Sequence, residues 1–374
     1  MCYDSPRVRI LMDYRPALRQ RTGVGVLVHR LATALQARLT GSDSLTLFSS
    51  SWKDRLESNV IPGTTHVDAR VPVSILNLAW HRLEWPPVEW FSGRIDVAQS
   101  MHPLLLPSSS AAQFVTIHDL HFLEWPEQTS AEIRRDYPVL AADHARRADG
   151  VIVPSHYTRG LVGQRLGVPP DRVTVCSPGA PDWPARVDPG GRGPILFVGT
   201  IEPRKNIGGL LRAYAALVRD DAAAPPLVLA GRNASNLAID ATVDGVSLRG
   251  RVQALGYVDD AQRLALYREA SMLVQPSFDE GFGLPVLEAM TLGVPVVASN
   301  RGSLPEVLDG SGLLIEPDDS EGMAGAMRSV LDDPVQRHRM TAAGLVRARA
   351  YSWDDSARRL YEAYAAAVAR RKAA

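Results

Sequence analysis

ILFVGTIEPRKNIGGLLRAYAALVR, residues 195–219, opens on four consecutive apolar residues, turns through glycine and proline, and closes in a stretch of helical period. Four apolar residues bounded by glycine predict a strand buried on both faces, Ile195–Val198, and the period that follows predicts a helix over Ile207–Arg219. Strand, short loop and helix make half of a parallel-sheet unit. The intervening Gly199–Asn206 segment (GTIEPRKN) therefore opens at the C-terminal edge of a strand, where α/β proteins bind ligands.

The same alternation runs outward in both directions. Downstream, Leu227–Ala230, Gln253–Leu255, Met272–Val274 and Val294–Ala298 read as strands, and Ala261–Glu269 as a helix. Upstream, Val8–Met12, Leu45–Phe48, Gln113–Ile117 and Gly150–Val153 read as strands. A turn at Thr22–Gly25 leads into a helix over Val26–Leu39, and Ser155 is placed to cap another. Between the halves, Ser177–Pro194 (SPGAPDWPARVDPGGRGP) is crowded with proline and glycine and lacks periodicity, as a linker does. The expected architecture is α/β: two Rossmann-like, doubly wound parallel-sheet domains facing a cleft, residues 1–178 and 194–352 joined by a linker at 179–193. Residues 353–374 form a helical tail expected to return to the first domain. Residues 76–112 read as a loop-rich insertion, in which packing accounts for Trp80, Trp85 and Trp90 before stacking on a sugar does.

Composition narrows the function. Residues 1–190 carry 20 Lys+Arg against 19 Asp+Glu, and the remainder 21 against 22, so neither half is basic and nucleic acid is not an expected partner. Two cysteines, Cys2 and Cys176, supply neither a disulfide framework nor a metal site. The N-terminal stretch lacks the apolar segment of a signal peptide, and no apolar run approaches the ~18–20 residues that span a bilayer. The expected location is the cytoplasm, with any membrane contact peripheral.

The chemistry concentrates in Gln275–Ala289, QPSFDEGFGLPVLEA, which follows a strand and enters a helix with Pro285 at its first position. Gly281 and Gly283 permit close backbone approach, and the helix N-terminus attracts anions. Glu280 on the loop and Glu288 one turn into the helix place acceptors at two depths around that cradle, an arrangement suited to a diphosphate with hydroxyls on both sides. Arg204 and Lys205 face the same crevice and supply the cations that a metal-free diphosphate site requires. The chain uses 38 Arg and only three Lys, so a lysine in this loop is a marked choice.

GTIEPRKN paired with DEGFGLPVLE resembles the glycosyltransferase family 4 type of GT-B enzymes, most closely the bacterial GDP-mannose-dependent mannosyltransferases. Gly256–Val258 (GYV), GVPVVAS and SLPEV fit the same C-terminal domain, and TGVGVLVHRL, IHDL (Ile117–Leu120) and VPSHYTR (Val153–Arg159) match in the first half. The resemblance implies a nucleotide-sugar donor, no cofactor, no bound metal, and retention of anomeric configuration. It implies that Glu288 holds the ribose and Glu280 the transferred sugar, while Arg204, Lys205 and the amides of Gly281, Phe282, Gly283 and Leu284 hold the diphosphate. Gly256, Tyr257 and Val258 would lie by the base. Gly25 would approach the phosphates with Gly23 shaping its turn, and His118 would face the donor sugar. Thr200 stands where many relatives carry arginine. The expected acceptor is a glycan or lipid-linked saccharide of cell-surface polysaccharide, with peripheral contact to the inner membrane. UDP-glucose, dTDP-rhamnose and GDP-fucose stay open as donors. A nicotinamide-dependent oxidoreductase lacks its complete G-x-G-x-x-G, a nucleotide-sugar epimerase lacks an acid/base set, and a non-catalytic scaffold has no reason to keep both glutamates and both cations.

Overall fold

The computed structural model describes residues 7–18, 23–129, 131–187, 192–239 and 242–373. Cys2, Thr22 at the head of the expected turn, and 188–191 of the expected linker lie outside the described residues. The chain divides into two units, Met1–Gly179 with Ser352–Ala374, and Ala180–Tyr351.

Unit 1 is built on seven strands: β1 (Arg9–Asp13), β2 (Ser44–Ser49), β3 (Thr65–Asp68), β4 (Val97–Gln99), β5 (Ala112–Thr116), β6 (Gly150–Val153) and β7 (Val173–Val175). All pair in parallel in the order β3-β2-β1-β4-β5-β6-β7. Strand order reverses between β1 and β4, the switch point at which crossovers leave to opposite sides. Unit 2 holds β8 (Ile195–Val198), β9 (Leu227–Ala230), a small antiparallel pair β10 (Thr242–Val243) and β11 (Val246–Ser247), then β12 (Val252–Gly256), β13 (Met272–Gln275), β14 (Val296–Ser299) and β15 (Leu313–Ile315). Its main sheet runs β12-β9-β8-β13-β14-β15, with the switch point between β8 and β13.

In unit 2 the adjacent strands β8 and β9 are apolar at every position because both faces are covered. Ile195, Phe197, Leu227 and Leu229 enter one core, while Leu196, Val198, Val228 and Ala230 enter another on the opposite face. Period two thus distributes one apolar run between two helix layers. The helix Ile207–Asp220 starts at Asn206, whose side chain accepts from the Gly209 amide. The predicted Ser155 cap is present, accepting from the Thr158 amide.

Two expectations need revision. Residues 76–112 are loop-rich but are no insertion: they contain most of the helix Val73–Leu83, the turn of helix Glu89–Ser92, and β4, a central strand of the sheet. Trp80 is fully buried, its indole N–H donating to the Pro86 carbonyl, whereas Trp85 and Trp90 are exposed. Within the stretch read as linker, Ala180 and Arg186 are tied into unit 2, the Ala180 amide donating to the Tyr351 carbonyl and the Arg186 amide to the Leu292 carbonyl. The helix Trp353–Ala373 lies in the unit 1 core, where Leu360, Tyr364 and Ala367 are fully buried beside Ile10 and Phe114.

Candidate active site

Both loops at the switch point of unit 2 carry candidate residues. The loop after β8 ends in a short 3-10 turn, Pro203–Lys205, which Asn206 terminates in a left-handed conformation. Asn206 Nδ2 donates to the carbonyls of Pro276 and Pro317, and the Phe278 amide donates to Arg204 O at 2.8 Å, so the two loops are laced together by backbone.

On that frame Lys205 Nζ meets Glu280 Oε1 at 2.5 Å, and Arg204 reaches Glu280 Oε2 at 3.5 Å while gripping Glu202 at 2.7 Å. Gln275 Nε2 and Ser277 Oγ donate to the same Glu280 oxygen, each at 2.8 Å. Lys205 and Glu280 are both buried. Burial pushes the Glu280 carboxyl up, but Lys205 and Arg204 outweigh it and hold the group at about 2. At neutral pH it is an ionised acceptor bracketed by two cations.

Glu288 belongs to a second cluster. It accepts from Tyr267 Oη at 3.0 Å and pairs with Arg263 at 3.1 Å. Here burial wins, and the carboxyl lies above its ordinary value although Arg263 and Tyr267 pull it down. Arg263 stacks over Trp183, which the apparent linker supplies. Arg263 and Tyr267 sit four residues apart on the helix Asp260–Glu269, so their common face was readable, but its direction was not.

The helix behind the glycine loop spans Leu284–Leu292, one residue earlier than expected, with Gly283 as its cap at φ +90°. A β-carbon at Gly283 would stand 2.7 Å from the end of the Leu304 side chain, which can shift, so glycine is needed there chiefly for its conformation. Gly281 and Phe282 are buried and Leu284 is half-buried. Thr200 is half-buried beside β8; Gly256 and Val258 are half-buried and Tyr257 is exposed after β12.

Gly23, Gly25 and His118 belong to unit 1. Gly23 is exposed at the start of the helix Gly23–Arg38. Gly25 is buried, and a β-carbon there would meet the Pro16 carbonyl oxygen at 2.8 Å, which explains the glycine through helix packing alone. His118 follows β5 and bonds the Met101 carbonyl through Nε2 at 3.1 Å; burial lowers its pKa.

Unit 1 also contains a polar cluster that the sequence reading missed. Asp13 and Arg15 form a buried ion pair at 2.7 Å beside His102, and His81 pairs with Asp136 at 2.8 Å. Asp13-x-Arg15 at the end of a strand was the available signal.

Among the described residues, no group of three or more His, Cys, Asp or Glu is arranged to hold a metal ion, and no helix is long and apolar enough to cross a membrane. Comparison with known proteins gives two family matches: "Glycosyl transferases group 1" over residues 185–346 and "Glycosyltransferase Family 4" over residues 21–182. An Escherichia coli protein named O-antigen chain mannosyltransferase B is 34% identical over 272 residues, covering 69% of this chain and 71% of its own. The D-inositol 3-phosphate glycosyltransferase of Nocardia farcinica is 33% identical, covering 65% of this chain and 57% of its own. Among solved structures, sucrose-phosphate synthase from Thermosynechococcus elongatus superposes with a TM-score of 0.75 at 20% identity, covering 96% of this chain and 98% of that one.

Proposed function

The chain belongs to the family 4 glycosyltransferases, and we propose that it is a retaining, metal-independent enzyme that moves mannose from GDP-mannose to a hydroxyl of a glycan or lipid-linked saccharide in cell-surface polysaccharide synthesis. The observation that carries the reading is the Arg204–Lys205–Glu280 cluster at the switch point of unit 2. The name of the Escherichia coli relative supports the choice of mannose.

In this reading the diphosphate rests on Arg204, Lys205 and the amides of Gly281–Leu284, and Glu288 accepts from the ribose hydroxyls. Glu280 accepts from hydroxyls of the departing sugar. The C1–oxygen bond to phosphate breaks with oxocarbenium character, and the two cations stabilise the charge that gathers on the leaving diphosphate. The acceptor oxygen bonds to C1 on the same face, and its proton passes to the departing phosphate oxygen.

A thermal-shift panel of GDP, UDP, dTDP and their sugar conjugates, with and without EDTA, tests the donor. A ligand at 100-fold its Kd adds about 2.7 kcal/mol. The expected result is a GDP-selective response that EDTA leaves unchanged. A UDP or dTDP preference replaces mannose with another sugar, and silence removes the donor site. An α-linked product by NMR is expected; a β-linked product overturns retention.

Peripheral membrane contact is the remaining part of the proposal. The helix Val73–Leu83 buries Leu76 and Trp80 but turns Ile75, Leu78 and Leu83 outward, and Trp85 and Trp90 follow in edge contact at 5.0 Å. Those five outward side chains are each more than half exposed. Arg70 and Arg94 flank the stripe in sequence and have no ion pair among the described residues, whereas Glu84 is taken up by Arg147. Aromatic and aliphatic side chains beside unpaired arginines suit an anionic lipid surface. The protein is expected to sediment with phosphatidylglycerol-containing vesicles but not with pure phosphatidylcholine, and the triple variant Leu78→Ser/Trp85→Ser/Trp90→Ser is expected to stay in solution. Concentration-dependent dimerisation without vesicle binding would assign the stripe to a second copy instead.

A further inference from the structure

The helix Asp260–Glu269 carries none of the donor loops, yet it reaches the donor site through two side chains. Arg263 and Tyr267 stand one turn apart on one face of it. Tyr267 Oη donates to Glu288 Oε2 at 3.0 Å, and a terminal nitrogen of Arg263 lies 3.1 Å from Glu288 Oε1. Each carboxylate oxygen therefore has its own partner. A carboxylate offers about four lone-pair sites, so acceptor capacity remains. The Glu288 side chain keeps 11% of its surface exposed, enough for a ligand to reach it.

We propose that Arg263, braced by Trp183, is a positioning residue that orients the Glu288 carboxylate for the hydroxyls of the donor ribose. The proposal rests on the assignment of Glu288 to the ribose in the glycosyltransferase reading above.

Three observations carry it. The first is how the helix is held. The Arg186 guanidinium donates to the carbonyls of Tyr267 and Arg268 at 3.2 and 3.4 Å, and to that of Ala270, at the end of this helix. The Arg186 amide donates to the Leu292 carbonyl, at the end of the helix that carries Glu288. One residue thus ties the two helix ends together. Three residues earlier, the Trp183 ring lies 5.7 Å from the Arg263 guanidinium carbon and 6.1 Å from the Tyr267 ring. Cation and ring attract, and the flat face restricts the directions the guanidinium can take. Asp260 meets Arg263 at 3.1 Å, so the guanidinium is held by a carboxylate and a ring as well as by Glu288.

The second is charge. Burial pushes the Glu288 carboxyl above its ordinary value. Arg263 is the strongest of the groups that pull it back, ahead of Tyr267, while Asp260 pushes it up again. Burial and then Glu288 hold the Tyr267 phenol well above its ordinary value, so it keeps its proton and donates. The acceptor character of Glu288 therefore leans on Arg263.

The third is that the fold alone does not account for a guanidinium here. Arg263 Nε is buried and has no hydrogen-bond partner among the described residues. An unmet buried donor costs stability, and a buried ion pair is often no better than an apolar pair of similar volume. An apolar side chain at this position could pack on Trp183 without either cost. It could not hold a charge beside Glu288.

The test is calorimetric titration of the full chain with GDP and with 2′,3′-dideoxy-GDP, and with the same pair of uridine nucleotides. The wild-type chain should bind the nucleotide with an intact ribose about tenfold more tightly than its dideoxy analogue, the equivalent of one hydrogen bond to a charged group. Arg263→Met should reduce that ratio to about twofold by weakening the intact nucleotide alone, and Arg263→Lys, which keeps the charge, should recover part of it. Trp183→Leu should lower the ratio about threefold, the scale of one cation–π contact, and should lower it no further in Arg263→Met. Trp183 is only half-buried, so this variant decides the matter even where Arg263→Met fails to fold. A ratio that survives either substitution overturns the proposal, and so do equal losses for the intact and dideoxy nucleotides. A wild-type chain that binds both forms equally removes Glu288 from the ribose and this proposal with it. Silence toward every nucleotide removes the donor site itself.

Discussion

Lys205→Met is expected to lower turnover by about 10²–10³-fold, the loss that accompanies removal of one strong donor to a developing anion. The same change should also destabilise unit 2. Lys205 and Glu280 are both buried and 2.5 Å apart, and truncating one member of a buried pair costs about 3–5 kcal/mol because the other charge is stranded. The double variant Lys205→Met/Glu280→Gln tests the stability effect. It removes the stranded charge, while Arg204 keeps its 2.7 Å contact with Glu202, so most of the stability should return. Activity should not. If turnover recovers together with stability, Lys205 serves the fold and not the phosphate; wild-type affinity of Lys205→Met for GDP would likewise remove it from the phosphate site.

The pH response follows from the same geometry. Glu280 ordinarily titrates near 4.5 and is held at about 2 in the folded chain, so its contribution is complete above pH 4.5 and is lost as pH falls from there towards 2. In Lys205→Met the carboxyl loses the cation that offsets its burial, and acid sensitivity should move to higher pH. Denaturation followed at a series of pH values would show the shift.

The strands that were easiest to read share one property. Ile195–Val198, Leu227–Ala230 and Gly150–Val153 are buried at every position, so four apolar residues between proline, glycine or aspartate boundaries leave little choice of limits. β4 offered no such signal. Its three residues, Val97–Gln99, end in a buried glutamine whose side chain donates to Thr116 across the sheet, a polar residue that sequence patterning assigns to the surface. Without β4 the segment around it looked structureless, and the three tryptophans looked alike although one is a core residue. The candidate site divides in the same way. Arg204, Lys205 and Glu280 were readable because each lies in a short loop directly after a strand, where the chain alone determines which edge they occupy. Arg263 and Tyr267 stand on a helix, and which carboxylate they meet depends on how that helix packs. His81 and Asp136 are 55 residues apart, on helices whose mutual placement no local pattern encodes.

The second large effect lies far from the donor loops. Tyr364→Ala is expected to destabilise unit 1 by about 3–5 kcal/mol, the usual cost of deleting a buried aromatic ring. Tyr364 is fully buried in the helix Trp353–Ala373, edge-on to Phe114 of β5 at 4.8 Å, and its hydroxyl donates to Gln99 Oε1 of β4 at 2.8 Å. Residues at the end of the chain thereby cover two central strands formed some 250 residues earlier. The ring supplies apolar contact, and the hydroxyl satisfies a glutamine oxygen that burial would otherwise strand. Tyr364→Phe removes only the second contribution and should cost about 1–3 kcal/mol. For a unit of this size, each kcal/mol lowers Tm by about 2–4 °C, so the alanine variant should lose roughly 6–20 °C in the transition that reports on unit 1. Calorimetry with and without GDP makes the comparison specific: in the glycosyltransferase reading the nucleotide's partners are mainly in unit 2, and the GDP-dependent shift should survive in both variants. Equal losses for alanine and phenylalanine would show that the hydrogen bond to Gln99, and not the packing of the ring, holds the terminal helix to the sheet.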